Sequence, residues 1–231
     1  MRRTVSCIIP VYNMASYVGD AIRSVLEQRC PPGDILVVDD GSTDSSRAAV
    51  EPFGDAVVYL HQSNAGVSAA RNHGVRRAVG EFLCFLDADD RFHPAKLHDQ
   101  LEAFEQEPAL QFCDAYSEWF WTEEMTEEER CADDRHADPF WRARAPGHIS
   151  TWLVRREAFD RVGVFDEGLH FSEDSDWLLR YRDAGLPRQT LSQCLSFRRL
   201  HAGNATAQNR ERQVDGLARV FLRSRAREKG R

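Results

Sequence analysis

The chain has 231 residues, with 30 Lys/Arg against 37 Asp/Glu, so its net charge is −7. That balance argues against a nucleic-acid backbone as the main partner, and an apolar share of 42% excludes wholesale disorder. No apolar run reaches the roughly 18 residues a membrane span needs, and the run after Met1-Arg2-Arg3 is broken by Pro10 and Asn13, too early for a secretory signal. The six cysteines are scattered without a C-x-x-C pair, which fits a reducing compartment and gives no zinc signature. These features place the chain in the cytoplasm, or peripheral to the inner face of a membrane, with no transmembrane segment.

Taken in chain order, the first 110 residues alternate short apolar runs with helical spacing. Val5 to Ile9 reads as a strand stopped by Pro10, and Val18, Ala21, Ile22, Val25 and Leu26 as a helix capped by Asn13 or Ser16. Ile35 to Val38 is a second strand running into Asp39-Asp40-Gly41, and Val57 to Leu60 a third. A helix is predicted over Val67 to Val79, a fourth strand over Phe82 to Leu86, and a helix with Pro94 in its first turn. Continuous apolar strands alternating with helices imply a parallel sheet covered on both faces, with ligands bound beyond the carboxyl ends of its strands. Two acidic clusters stand at two such ends.

The second half is less regular. Residues 118–147 open on an acidic run and read as an insertion; residues 118–138 hold nine Asp/Glu against two Arg. Trp152 to Val154 is a short strand, Glu173 to Ala184 a helix closed by Gly185, and Leu191 to Phe197 a last strand. From Gln208, helical spacing links Val214, Leu217, Val220 and Phe221 before an Arg-rich end. No repeat or linker divides the chain, so one domain is expected.

Five segments carry chemistry, and each also has a plain structural explanation. In Asp87-Ala88-Asp89-Asp90, three carboxylates within four residues repel one another unless a hard cation such as Mg²⁺ or Mn²⁺ compensates; a solvated acidic turn is the alternative. Asp39-Asp40-Gly41-Ser42-Thr43-Asp44 offers acids to a base or ribose, or is a turn with Ser42 or Thr43 as a helix cap. In Asn64 to Gly74, small residues admit close approach to the sheet or a ligand, and Arg71 either pairs with a phosphate or lies on the helix surface. In Ser172-Glu173-Asp174-Ser175-Asp176-Trp177, the acids suit a helix N-terminus, and Asp174 also suits a general base; Trp177 is either a stacking platform or core. His201, in Arg198-Arg199-Leu200-His201-Ala202-Gly203-Asn204, is structural, or lies near a metal or diphosphate.

In this order the stretches VSCIIPVYN, VVDDGSTD, NAGVSAARNHG, FLDADD, SEDSDW and RRLHAGN resemble family 2 glycosyltransferases of the GT-A fold, over residues 5–204. The resemblance implies an α/β, Rossmann-like, mostly parallel sheet with helices on both faces and a variable acceptor side. Residues 1–110 would bind the nucleotide sugar, 111–205 the acceptor, and 206–231 would form a C-terminal helix and basic tail. It implies an inverting transfer of one sugar from a nucleoside diphosphate, UDP first among the candidates, to an acceptor hydroxyl with help from Mn²⁺ or Mg²⁺. Pro10, Val11 and Tyr12 would frame the base and Asp40 would bond it, with Asp39 beside it. Asn64, Gly66, Arg71 and Ala88 would line the same site, and Asp87 would reach the ribose. Asp89, Asp90 and His201 would hold the metal, Asp174 would act as base, and Glu173 and Trp177 would face the acceptor. The acceptor class stays open among a glycan, a lipid-linked glycan, a peptide and a small metabolite.

Other classes fit less well. A nucleotidyltransferase wants a Gly-rich basic loop after the first strand, and neither a P-loop nor a dinucleotide fingerprint is present. A non-catalytic nucleotide-sugar binder or scaffold would be expected to lose Asp174 or the metal acids, and all are retained.

Overall fold

The computed structural model describes residues 4–122, 147–169, 171–201, 203–204 and 210–229. Eight strands form one sheet: β1 (Val5–Val11), β2 (Asp34–Asp39), β3 (Val58–His61), β4 (Phe82–Phe85), β5 (Arg91–Phe92), β6 (Phe112–Trp121), β7 (Leu153–Arg155) and β8 (Arg188–Leu200). Their spatial order is β3-β2-β1-β4-β7-β6-β8-β5. β3, β2, β1 and β4 run parallel, β7 is antiparallel to both β4 and β6, β6 and β8 are parallel, and β5 closes the edge antiparallel to β8.

β1, β2 and β4 are buried on both faces, as their unbroken apolar sequences require, whereas β3 at the sheet edge leaves Val58 exposed. Within β1, Cys7, Ile9 and Val11 enter one core and Ile8 enters the other, following the period of two. The first core receives α1 (Val18–Leu26) and α4 (Lys96–Gln106) through Val18, Ile22, Val25, Leu97 and Phe104. The second receives α3 (Val67–Arg77), α5 (Arg156–Val162) and α6 (Glu173–Asp183) through Ala70, Phe159, Trp177 and Tyr181. α3 lies close to β1 because residue 74 is glycine: a Cβ there would stand 2.5 Å from Ile8 Cγ2. A short α2 (Ser46–Val50) follows β2, and α7 (Arg210–Lys229) touches α6.

Several expectations need correction. Pro10 does not stop β1, which continues to Val11. Beyond Ile8, β1 pairs with β2 alone, and alternation turns the missing Pro10 N–H toward the side that β4 has left. Tyr17 rather than Asn13 or Ser16 precedes α1, Ser45 rather than Ser42 or Thr43 precedes α2, and α4 begins after Ala95, leaving Pro94 outside it. The supposed insertion starts inside β6, since Glu118 to Trp121 pair with Phe197 to Leu200 of β8; residues 123–146 lie outside the described residues. The Arg-rich end continues α7 as far as Lys229.

Candidate functional site

The loops after β1, β2 and β4 meet at the carboxyl ends of the parallel strands. Asn13, at φ 53°, accepts from the Thr43 and Asp44 N–H groups through its Oδ1, at 2.8 and 3.3 Å, and so ties the first loop to the second. Asp40 is buried, with both oxygens engaged. Oδ1 accepts from Gln62 Nε2 at 2.8 Å and Ala65 N–H at 2.9 Å, and Oδ2 accepts from Gly66 N–H at 2.8 Å. Asn64 Nδ2 donates to the Asp40 carbonyl at 3.0 Å. Asp39 accepts from Ser42 N–H at 2.8 Å and from the Tyr59 hydroxyl. Burial opposes its ionisation, but these two donors outweigh it and hold its carboxyl below the usual range. The paired acids thus build the platform between β2 and α3. Pro10 and Val11 are buried beneath it, whereas Tyr12 is 47% exposed and presents its ring at the rim.

Arg71 does not lie on the helix surface. It is buried on α3 and its guanidinium bridges two carboxylates, reaching Asp87 at 2.7 Å through Nη2 and Glu173 through Nη1. Burial alone would favour its neutral form, yet Asp87 and then Glu173 raise its pKa above an ordinary arginine's. The same bridge acts on the acids. Asp87 is desolvated, but Arg71 first and His148 second hold it below the usual carboxylate range, whereas for Glu173 burial wins and its pKa rises. Arg71 therefore fastens the Asp87–Asp90 turn to the N-terminus of α6 (residues 102 apart in sequence for the Arg71–Glu173 bond).

The three acids of the turn take different surroundings. Asp89 Oδ2 meets His201 Nε2 at 3.0 Å and accepts from Asn204 Nδ2 at 3.2 Å. Asp90 is buried and accepts from the Ser150 hydroxyl at 3.0 Å and Arg199 N–H at 3.1 Å. Burial first, and the neighbouring Asp89 second, push its pKa well above the ordinary value. Ala88 is buried in the core beneath the turn. His148, which sequence reasoning passed over, lies 3.7 Å from Asp87 Oδ2 through Nε2 and 3.9 Å from Asp90 Oδ2 through Nδ1. Burial, followed by the charge of Arg198, drives its pKa well below the usual histidine value and favours the neutral ring, whose Nδ1 accepts from the Ser150 N–H at 3.4 Å. Arg198 rests over the Trp119 ring at 4.3 Å, and Arg199 reaches across to Asp20 at 2.9 Å.

Two donor sets fit a divalent cation. Asp87, Asp90 and His148 can each offer one atom, all within 4.8 Å of one another. Asp89 and His201 form the second set. Mixed carboxylate and imidazole donors suit Mn²⁺ and tolerate Mg²⁺. Both Asp90 oxygens already hold protein donors, so Asp87 and Asp89 are the turn's more open carboxylates, at 27% and 17% side-chain exposure.

On α6 the expected trio separates. Asp174 is half-buried, and its Oδ1 accepts from Ser175 N–H at 2.6 Å; no arginine or lysine pairs with it among the described residues. Glu173 is taken by Arg71. Trp177 is wholly buried, stacked on Phe159 at 4.6 Å with Nε1 donating to Gly163 O at 2.8 Å, so it is core and offers no face to a sugar. Ser172 enters the helix at φ 64°, a left-handed conformation unusual for serine, directly before these acids.

Comparison with known proteins agrees with this architecture. The profile of glycosyl transferase family 2 matches residues 6–163, and the chain belongs to that family. An uncharacterised glycosyltransferase of Rickettsia prowazekii is 29% identical over 238 residues, covering 97% of this chain and 73% of its own length. One of Rickettsia typhi is 29% identical over 77% of this chain, which spans 58% of that relative. EpsJ of Bacillus subtilis, also an uncharacterised glycosyltransferase, is 31% identical over 78% of this chain and 56% of its own. Among solved structures, the mannosyltransferase PcManGT of Pyrobaculum calidifontis, in complex with GDP-Man and Mn²⁺, superposes with a TM-score of 0.74 at 20% identity, covering 97% of this chain and 64% of its own. Residues 1–349 of TarS from S. aureus, in complex with UDP-GlcNAc, give 0.69 at 19% identity, over 88% and 60%. The fold is GT-A.

Proposed function

We propose that the chain transfers one sugar from a nucleoside diphosphate, UDP first among the candidates, to an acceptor hydroxyl with inversion at the anomeric carbon. The observation that carries this reading is the Arg71 bridge, which ties the Asp87–Asp90 turn to Glu173, the residue before Asp174. A base and a donor-binding turn need that proximity, because a bimolecular transfer gains most from fixed geometry. The UDP-GlcNAc and GDP-Man complexes of the structural neighbours support a nucleotide-sugar donor, and the Mn²⁺ in one supports a cation.

In this mechanism Tyr12 and the Asp39–Asp40 platform receive the base, and Asp87 receives the ribose. Asp89 and His201 hold the cation, with Asp90 and His148 bracing the turn. A divalent cation there would supply charge neutralisation for the departing diphosphate. Asp174 takes the proton of the acceptor hydroxyl on Oδ2, since Oδ1 is held by the Ser175 N–H. The acceptor oxygen forms its bond to the anomeric carbon from the opposite face as the bond to diphosphate breaks, through an oxocarbenium-like transition state. Half-burial of Asp174 keeps the base partly screened from water while leaving it open to an acceptor.

Asp174→Asn keeps shape and removes the base. Turnover should fall by about 10²–10⁴ while nucleotide binding persists. Binding is read by thermal unfolding with UDP, GDP or dTDP and Mn²⁺, where ligand at 100 times its Kd adds about 2.7 kcal/mol, or roughly 5–11 °C. Unchanged turnover in the variant would remove Asp174 as base. Absence of any nucleotide shift would remove the donor site.

A further inference from the structure

We propose that the outer face of α7 docks on an anionic lipid surface. The helix is 20 residues long, about 30 Å at the usual rise per residue. Its inner face is fixed to the body. Val220 and Ser224 are buried, Ser224 Oγ accepts from Arg182, and Arg227 reaches Asp183 at 3.3 Å. Gly216 lies against Phe171 O and Ser172 Oγ, where an added Cβ would sit 3.1 Å from each.

One flank of the helix, beside its buried face, is apolar and open. Val214, Leu217 and Phe221 follow one another at helical spacing with exposures of 62%, 40% and 58%, and Leu222 beside them is 68% exposed. Large side chains in a contiguous stripe are costly to leave in water. Cations flank them. Arg225 stands one turn beyond Phe221, and Arg219 and Arg225 are both exposed with no ion-pair partner among the described residues. Across Val214 to Arg227 there are four arginines and one acid, Asp215. An apolar stripe with arginines at its margins is what an in-plane interfacial helix needs: the apolar side chains enter the acyl boundary and the guanidinium groups meet phosphate. A second copy of the chain would bring like charges together along the same stripe, which disfavours self-pairing. Because Gly216 rests on the residues that lead into Asp174, docking would hold that end of the crevice beside the lipid. This last clause rests on the sugar-transfer reading and points to a lipid-linked acceptor.

The test is flotation of the whole chain with vesicles, without nucleotide or acceptor, so that its outcome is independent of catalysis. Vesicles of phosphatidylcholine with phosphatidylglycerol should carry the protein, phosphatidylcholine alone should not, and added salt should release it. Leu217→Asp with Phe221→Asp, and separately Arg219→Glu with Arg225→Glu, should each weaken binding by at least about tenfold. All four side chains are exposed, so melting temperature should hold and certify the fold. Three results overturn the proposal: no binding to either vesicle, equal binding by the variants, or a dimer in sedimentation that Phe221→Asp dissolves.

Discussion

Arg71→Met tests whether the bridge between α3, the acidic turn and α6 is what holds the crevice together. The arginine is 3% exposed and serves Asp87 and Glu173, whose side chains are 27% and 11% exposed. Removing one partner of a buried ion pair costs about 3–5 kcal/mol, because the remaining charge is stranded. Asp87 retains some solvent, so the lower half of that range applies, about 3–4 kcal/mol. For a chain of this size that lowers the melting temperature by roughly 6–16 °C. The pH dependence provides the sharper signature. In the parent chain Asp87 has a depressed pKa, so its contribution is present above the unfolded value near ~3.9 and is lost as pH falls through the folded value. In Arg71→Met the two stranded carboxyls have raised pKa values. Their stabilising protonated forms are complete below the unfolded values and are lost as pH rises through the folded ones. The deficit of the variant should therefore be large near pH ~7 and shrink toward pH ~5. Calorimetric melts of both proteins across that range, without metal or nucleotide, decide it. A loss under about 2 °C at neutral pH, or a deficit that does not change with pH, refutes the bridge as argued.

Gly41→Ala should destabilise by about 1–3 kcal/mol in the same melts and weaken nucleotide binding. Residue 41 sits at φ 75° and its Cβ would stand 2.8 Å from Asn64 N, inside the Asp40 platform. His201→Ala should lower Mn²⁺ affinity at least about tenfold by titration calorimetry, and His148→Ala should change it by less than about threefold. The reverse ranking would move the cation to Asp87, Asp90 and His148.

The parallel half of the fold was legible because its strands are unbroken apolar runs, two of them leading into acids, a pattern that little besides a sheet buried on both faces explains. The second half hid its strands. β6 alternates Phe112, Asp114, Tyr116 and Glu118 with small or apolar residues, and its acidic end merges in sequence with the run that follows. Arg71 was visible as a residue and not as a bridge, since one of its partners lies on a helix 102 positions later. Trp177 could have faced either a sugar or the core, and only its neighbours Phe159 and Tyr181 decide for the core. His148 had no motif to mark it, and nothing local ties it to Asp87. The spacing in α7 announced a helix but not its buried face: of Val214, Leu217, Val220 and Phe221, only Val220 is buried.

The charge arrangement explains why a cation and a nucleotide would enter this crevice together. Asp87, Asp89, Asp90, Glu173 and Asp174 surround it, while Arg71, Arg198 and Arg199 are the nearby cations. Arg71 is spent on Asp87 and Glu173, and Arg199 donates to Asp20 and to the backbone of Asp89. Asp90 relieves its own repulsion by favouring the protonated form. Asp89 and Asp174 have no arginine or lysine partner among the described residues. A diphosphate approaching this set meets carboxylates, and Arg198 is stacked over Trp119, so its entry is unfavourable until a cation stands between them. Conversely, a cation held by one carboxylate and one imidazole has most of its coordination shell left for phosphate oxygens. Each ligand therefore supplies what the other lacks, and by linkage the factor by which the cation tightens nucleotide binding equals the factor by which nucleotide tightens the cation.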